Sequence, residues 1–394
     1  MKREAVSLLG LIAFLLFWFL PTFTVKPNRV AEGAPEWLWS LGGGLLPIIL
    51  PLLTLYLVLI VLTITPRLRR LLRVRLIVSA SLIPLLIAVL VLGGSIALDQ
   101  SGHEAGRTGP AIGWWMGALG GYVLFSDARR RSLSGATGTT RRITGALTLA
   151  IVAATVLVVV FLPIEALGLV QEFANRSTRF REELVAHLVL SGASVAGAVL
   201  IGVPLGMLAF RSRKAEQPIF TAASGLQTIP SLALFGLMIA PLAFLSREFP
   251  FLRSIGVRGV GNAPAIIALT LYGLLPIVRN TFVGLSSIDP GVIDAGRGMG
   301  MSRRELLVLV QIPIALPIIL TGLRITAVQT IGNAAVAALI GARGLGNFVF
   351  QGLGQAAPDL IVLGALPIVA LAVMVDRGMD GLIRALRPEA KEAP

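Results

Sequence analysis

The sequence predicts an all-α protein, a polytopic transmembrane helical bundle of about ten spans. Three observations carry this. Apolar residues make up 55% of the 394 residues and charged ones only 14%, where a soluble domain is about a quarter charged. The mean hydropathy is +0.86. The apolar residues also gather in blocks of roughly 18 or more, the length a helix rising 1.5 Å per residue needs to cross about 30 Å of hydrocarbon. Only helices and closed barrels satisfy their backbone groups in lipid, and these blocks lack the alternation of barrel strands, so they are read as helices.

The ten blocks lie near 8–24, 45–64, 76–97, 111–126, 143–164, 184–210, 218–245, 263–282, 313–340 and 359–376. Lys2 and Arg3 precede the first. No A-x-A-like cleavage pattern follows it, so it reads as an uncleaved span rather than a signal peptide. With the N-terminus inside, ten spans return the C-terminus to the cytoplasm. The positive-inside rule supports this orientation. Most of the 34 Lys and Arg residues fall in segments placed inside, with clusters at Arg67, Arg69, Arg70, Arg73 and Arg75 and at Arg129, Arg130, Arg131, Arg141 and Arg142. Trp37, Trp39, Trp114 and Trp115 lie near the outer boundaries, as interfacial anchors.

The longest polar outer segment runs from about Glu165 to Glu183. A boundary placed there separates an N-terminal bundle of about five spans (1–183) from a second five-span unit (184–385), with a short cytoplasmic tail (386–394). A net charge of +14 would suggest nucleic acid in a soluble chain. Here the charge sits in short loops between spans, beside membrane lipid, and no nucleic-acid partner is expected. The chain has no cysteine, which excludes disulfides and thiolate-held metal. His103 with Glu104, and His187, stand without further ligands, so no metal site is expected. No triad or paired carboxylates stand out, and catalysis on this chain is not expected.

Between the eighth and ninth blocks lies a polar segment with unusually complete local signals. Asp289 can cap a helix that begins at Pro290. Glycines 296, 298 and 300 weaken and end it. Ser302 and Glu305 have the spacing of a capping box that starts a second helix, and Pro313 is expected to stop that helix and open the next span. Two short helices joined by a tight turn at Gly300 and Met301 follow from these signals. Arg303 and Arg304 in a first turn oppose the helix dipole. Such a pair suits insertion into a groove of a soluble partner. A plain surface connector between spans is the alternative.

The stretch VIDAGRGMGMSRRELLVLVQIP, residues 292–313, resembles the coupling loop of ABC importer permeases, E-A-A, three residues, G, nine residues, I-x-L-P. Asp294, Ala295 and Gly296 stand where E-A-A is expected. Gly300 is the fixed glycine, and Val310, Ile312 and Pro313 stand at I-x-L-P. Asp for Glu, Val for Ile and Ile for Leu are conservative. Gly296 for Ala weakens the first helix by about 1 kcal/mol. The segments LQTIPSLALFGL (226–237), APAIIALTLYGLLPIVRNTF (263–282) and GARGLGNFVFQGL (341–353) resemble the osmoprotectant branch, which imports glycine betaine, choline and related quaternary amines. The likeness covers roughly 184–385. The N-terminal half resembles that of the longer permeases of this branch.

The resemblance implies a five-span permease core that forms a translocation pathway in the bacterial cytoplasmic membrane. It implies separate ABC ATPase subunits, a second permease copy or a related permease, and a periplasmic or lipid-anchored binding protein. GxxxxGK[ST] is absent from the chain, so ATP and Mg²⁺ are expected on the partner ATPase and no cofactor on this chain.

Several residues within the blocks are candidates for lining that pathway. Arg324 is an intramembrane charge and such groups usually face a cavity or partner. It lines the pathway or fixes a permease interface, or else snorkels or pairs with a backbone carbonyl. Gln227 and Thr228 precede Pro230, which bends its helix and frees a carbonyl; Gln329, Thr330 and Asn333 form a similar polar run. Each is also open to plain interhelical hydrogen bonding. Tyr272 offers a ring face to a quaternary ammonium, though packing is the commoner use of such a residue. The pairs Gly202/Gly206 and Gly113/Gly117 suit close helix packing. Two other classes remain, an ion-coupled secondary transporter and a polytopic membrane enzyme. The first needs acidic residues within spans, and none is convincingly placed. The second needs clustered His or carboxylates at a membrane face.

Overall fold

The computed structural model describes residues 2–29, 31–41, 46–64, 71–103, 106–133, 138–254 and 256–386. Arg67, Arg69 and Arg70, Glu104 and the tail from 387 lie outside these. The described residues are mostly helical, and they divide into two compact units, Met1–Asn175 and Arg176–Pro394. The division falls inside a helix, at Arg176, whose backbone leaves the helical region (φ −132°, ψ 19°).

The first unit holds α1 (Lys2–Phe19), β1 (Phe23–Lys26), β2 (Ala34–Glu36), α2 (Leu46–Ile64), α3 (Leu72–Ala88), α4 (Gly94–Ser101), β3 (Arg107–Pro110), α5 (Ile112–Leu133) and α6 (Gly138–Phe161). The π-helical turn Val89–Gly93 joins α3 to α4 without a break. The helical expectation did not include the sheet. Its three strands run in the order β2-β1-β3, with β1 antiparallel to both neighbours and Thr24 opposite Pro35 and Gly109. Phe14, Phe17, Leu52, Leu59, Leu82 and Leu86 form its fully buried core. α1 and α5 approach closely because α5 presents glycine: a Cβ on Gly113 would lie 2.6 Å from the Leu20 carbonyl oxygen, and one on Gly120 2.6 Å from the Phe14 nitrogen. Trp37, Trp39 and Trp115 are exposed. Trp114 instead turns inward and donates its indole N–H to the Leu86 carbonyl at 2.9 Å. Arg75 is buried, and donates to Ser7 and, at 2.9 Å, to Asp127. Three helices are thus tied by one guanidinium at the end of the bundle where the basic residues cluster.

The second unit begins within α7 (Gly168–Arg211) and continues through α8 (Arg213–Thr228), α9 (Ser231–Glu248), α10 (Pro250–Ser254), α11 (Asn262–Ser286), α12 (Pro290–Gly298), α13 (Arg303–Glu305), α14 (Ile312–Val336), α15 (Gly346–Gly354) and α16 (Pro358–Leu386). α7 and α11 pack through Gly202 and Gly206, where a Cβ would lie 2.8 Å from Ile277 Cγ2 and 2.6 Å from Thr281 Cβ. This is the close approach that small residues permit.

Two expectations about helix boundaries are corrected. The block 218–245 is not one helix. It breaks between α8 and α9, where Ile229 (ψ 126°) and Pro230 (ψ 138°) are extended. Proline disfavours helical backbone in the residue before it. Conversely, Pro313 stops nothing. The helix runs on from Arg303 to Ile340, because residues Leu306–Gln311 widen into a π turn just ahead of the proline. Proline has no N–H to donate, and the wider turn relieves the clash of its ring with the preceding carbonyls.

Among the described residues, six helices are long and apolar enough to cross a membrane: Arg73–Ser101, Gly168–Arg211, Ser231–Glu248, Asn262–Ser286, Arg303–Ile340 and Pro358–Leu386. Three shorter apolar helices, Ala5–Phe19, Pro47–Thr63 and Thr144–Leu157, accompany them. The span count of ten thus has loose support, whereas the polytopic helical class is observed.

Candidate functional site

Two regions of the second unit carry the candidate residues. The first is the segment from Asp289 to Pro313. Asp289 caps α12, its carboxylate accepting the Gly291 N–H at 2.7 Å with Pro290 in the first turn. Gly300 takes a left-handed backbone (φ +81°), which turns the chain at low cost only with glycine. The capping box is complete: the Ser302 N–H donates to Glu305 Oε2 at 2.8 Å, and the Glu305 N–H donates to Ser302 Oγ at 3.3 Å. Gly296 is buried, and a Cβ there would lie 2.6 Å from Leu306 Cδ1. The two helical pieces therefore close on each other at that residue.

The outward side of this segment is mixed. Met299 is 72% exposed and Val292 41%, and Asp294 pairs loosely with Arg297 at 3.4 Å, both well exposed. Ala295, Ser302 and Glu305 are exposed as well. Val310 and Ile312 are half-buried and Pro313 is exposed. A twice-capped segment thus presents apolar and charged groups together on its exposed side.

The second region comprises the residues proposed for a pathway, and the fold divides them between two places. Gln227, Thr228 and Pro230 sit at the α8–α9 break with Tyr272 beside them on α11. Thr228 Oγ1 donates back to the Gly225 carbonyl at 2.8 Å, and Pro230 is exposed at the start of α9. Tyr272 is 7% exposed and packs in the apolar core with Leu234, Phe235 and Leu269. Its phenol oxygen is buried without a hydrogen-bond partner.

Arg324 and Gln329 lie elsewhere, on one side of α14. They line an opening of about 530 Å³ together with Thr321, Ile325, Val328 and Asp376. The Arg324 guanidinium holds Asp376 in a two-pronged pair, Nε to Oδ1 at 2.6 Å and Nη2 to Oδ2 at 2.9 Å. Its Nη1 reaches Asp380 Oδ1 at 3.0 Å, and Asp380 also pairs with Arg384. Asn333, one turn beyond Gln329, is half-buried and outside this group. Thr330 is buried.

Two carboxylates of α16, rather than a backbone carbonyl, hold Arg324. Asp376 and Asp380 lie on α16, which runs to Leu386, past the end predicted at 376. Asp376 and Asp380 share a face one turn apart. An Arg in one apolar block and an i, i+4 Asp pair near the end of another was the available signal.

A third cluster went unread. Glu183, 6% exposed, accepts the Gly344 N–H at 2.7 Å and the Asn347 side-chain amide at 3.0 Å. His187, one turn on, is fully buried with Nε2 3.1 Å from the Ile331 carbonyl oxygen. Arg343 donates its N–H to Asn262 at 2.9 Å and its guanidinium to Glu182 at 3.0 Å. These contacts fasten the glycine-rich turn 341–347 to α7 and α11.

Comparison with known proteins agrees with this construction. Residues 198–388 match the family of binding-protein-dependent transport system inner membrane components. Residues 2–162 match the N-terminal domain of the ABC transporter permease YehY. The chain is 44% identical over 204 residues to the carnitine transport permease protein OpuCB of Listeria monocytogenes, which spans 52% of this chain and 86% of that one. It is 44% identical over 203 residues to the osmoprotectant import permease protein OsmW of Salmonella typhimurium, spanning 52% and 89%. It is 37% identical over 202 residues to the choline transport system permease protein OpuBB of Bacillus subtilis, spanning 51% and 86%. The chain belongs to the osmoprotectant-uptake branch of the ABC importer permeases, the membrane components of binding-protein-dependent transport systems.

Proposed function

We propose that this chain carries a quaternary-amine osmoprotectant, such as glycine betaine, carnitine or choline, across the bacterial cytoplasmic membrane. The second unit forms the pathway with a second copy or a related permease. A separate ABC ATPase pair binds ATP and Mg²⁺ and docks on residues 289–313. A periplasmic or lipid-anchored binding protein delivers the substrate. Both termini lie in the cytoplasm, the orientation that the clustered arginines favour.

One observation carries the reading. The 289–313 segment is capped and turns at Gly300, and its second piece, from Arg303, is part of the helix Arg303–Ile340. A displacement of the projection by a moving ATPase is therefore passed directly to the helix that bears Arg324 and Gln329. Coupling of this kind needs a rigid element with two positions, and a continuous helix supplies the rigidity.

The test is co-purification and uptake. The wild-type chain, expressed with the ATPase and binding protein of its own system, is expected to co-purify with the ATPase and to take up glycine betaine or choline in proteoliposomes when ATP is supplied. Gly300→Trp is expected to abolish co-purification while the permease stays folded and in the membrane. Undiminished assembly with Gly300→Trp would remove the docking role from this loop. Failure of the wild-type assembly to carry any quaternary amine would overturn the substrate class.

A further inference from the structure

The connection between α9 and α11 is short and basic. Residues 247–261, REFPFLRSIGVRGVG, carry Arg247, Arg253 and Arg258 against one carboxylate, Glu248. The connection joins two helices long and apolar enough to cross a membrane, Ser231–Glu248 and Asn262–Ser286, so it lies at a membrane surface. α10 ends where Gly256, at φ +86°, turns the chain back. The Gly256 N–H donates to the Arg253 carbonyl at 3.2 Å and the Val257 N–H to the Leu252 carbonyl at 2.8 Å, the paired bonds of a glycine-terminated helix. The returning chain packs on α9 at Gly259, which is buried; a Cβ there would lie 2.7 Å from Ala243 Cβ and 2.8 Å from the Ile239 carbonyl oxygen.

An opening of about 620 Å³ lies between these pieces, and its wall is ordered along α9. Ile239, Ala240 and Ala243 line it within the span helix, and Arg247 lines it in the last turn, eight residues and about 12 Å beyond Ile239. Arg253 and Arg258 line it from the connection, past the helix end. Phe244, Phe249 and Phe251 are exposed around that same end, as aromatic anchors are at a membrane surface. Arg247 lies 3.7 Å from Glu248 and over the Phe244 ring at 5.8 Å. Among the described residues, no carboxylate pairs with Arg253 or Arg258.

We propose that this opening binds an anionic phospholipid. The phosphodiester takes the guanidiniums of Arg253 and Arg258, whose forked donors match phosphate oxygens, and an acyl chain runs along Ile239, Ala240 and Ala243. Three arginines against one carboxylate leave an excess of two positive charges in residues 247–261. A headgroup of net negative charge offsets that excess; a zwitterionic headgroup, which brings its own ammonium, does not. A free phosphate uses the arginines and leaves the apolar wall uncovered. An acidic protein surface does the same, because it stays outside the span. The order of the wall, apolar within the helix and basic past its end, is that of a lipid with its chain below its phosphate. The site stands at the end of α11 remote from the 289–313 segment, and none of its residues is a coupling or pathway candidate.

The full-length permease, purified in detergent, is titrated with phosphatidylglycerol, with phosphatidylethanolamine of the same chains and with glycerol 3-phosphate. Binding is read at the site, from the slowing of amide hydrogen exchange at residues 256–260. Wild type is expected to bind phosphatidylglycerol about tenfold or more tightly than phosphatidylethanolamine. Arg253→Gln with Arg258→Gln is expected to weaken phosphatidylglycerol binding by about tenfold or more, at roughly fivefold for each arginine near a membrane surface. Arg253→Lys with Arg258→Lys keeps the charge and is expected to retain most of the preference. Both positions are exposed, so packing is undisturbed in either variant. Equal binding of the two lipids by wild type, or an unchanged preference in the glutamine variant, overturns the site. Glycerol 3-phosphate binding as tightly as the lipid makes it a soluble-phosphate site and overturns the lipid assignment. Loss of the binding protein from the glutamine variant, with the lipid preference unchanged, gives the face to a protein partner and overturns it as well.

Discussion

The side-chain amide of Gln227 donates to the carbonyl of Tyr272 at 2.9 Å, and that carbonyl is the one that Pro276, four residues on, cannot bond. Proline lacks the N–H that an α-helix would direct there. Gln227 on α8 thus completes the hydrogen bonding of α11. A residue chosen as a pathway candidate serves first as a clasp at the α8–α9 break.

Gln227→Leu is therefore expected to leave a half-buried carbonyl without a donor, at about 1–3 kcal/mol. Gln227→Glu, which also lacks the donor, is expected to be at least as harmful. Thermal unfolding of the purified permease measures both. Replacing Pro276 with alanine restores the intrahelical bond and is expected to rescue the Gln227→Leu variant. A lack of rescue would show that the two residues are not coupled in this way.

Glu183 buries a carboxylate against two donors of the glycine-rich turn 341–347. Glu183→Ala strands the Gly344 N–H, at about 1–3 kcal/mol, and leaves the Asn347 amide only its long bond to the Ala342 carbonyl at 3.4 Å. The melting midpoint of the purified chain is expected to drop by several degrees, with hydrogen exchange accelerating at residues 341–347 before it does so in α11. Uniform acceleration through the whole unit would instead assign Glu183 to global packing.

The capping box at Ser302 and Glu305 makes a local prediction. Ser302→Ala removes one acceptor and is expected to cost about 1 kcal/mol. Amide exchange at Glu305 and Leu306 should speed up roughly fivefold, the equilibrium factor for that free energy. Ser302→Asp, which preserves the cap, is expected to retain wild-type protection. Equal exchange in all three proteins would mean that the first turn draws its stability from elsewhere.

Gly300 isolates backbone strain from packing. Its φ is +81°, and a Cβ at that position would meet nothing within 4 Å. Gly300→Ala is thus expected to cost about 1–2 kcal/mol through conformation alone. Gly300→Asn should cost less, since asparagine tolerates the left-handed region. Their order in ATPase co-purification is expected to follow glycine, asparagine, alanine. Alanine and asparagine binding alike would mean that the turn does not govern docking.

Much of this chain was legible from its residues. Helical class and membrane residence follow from apolar block length, a property of sequence alone. The caps at Asp289 and Ser302 and the turn at Gly300 are equally local, since each depends on residues within four positions of one another. The family resemblance lay in the same kind of short-range pattern. What misled the reading was proline. Pro230 broke a helix read as continuous, and Pro313 was absorbed by a π turn in a helix read as stopped there. Whether a helix breaks or widens at a proline depends on whether neighbouring turns can take up the slack.

Pairing across the fold was beyond reach of the sequence. Arg324 and Asp376 lie 52 residues apart, and Glu183 and Gly344 161 apart. A buried or intramembrane charge announces that it needs a partner, because leaving it unpaired is costly. It does not announce which partner, because that choice is made by helix packing over long sequence separations. The sequence by itself determined that this is a helical membrane permease with a capped loop at 289–313. Only the tertiary structure decided that Arg324 is held by two aspartates of the last helix.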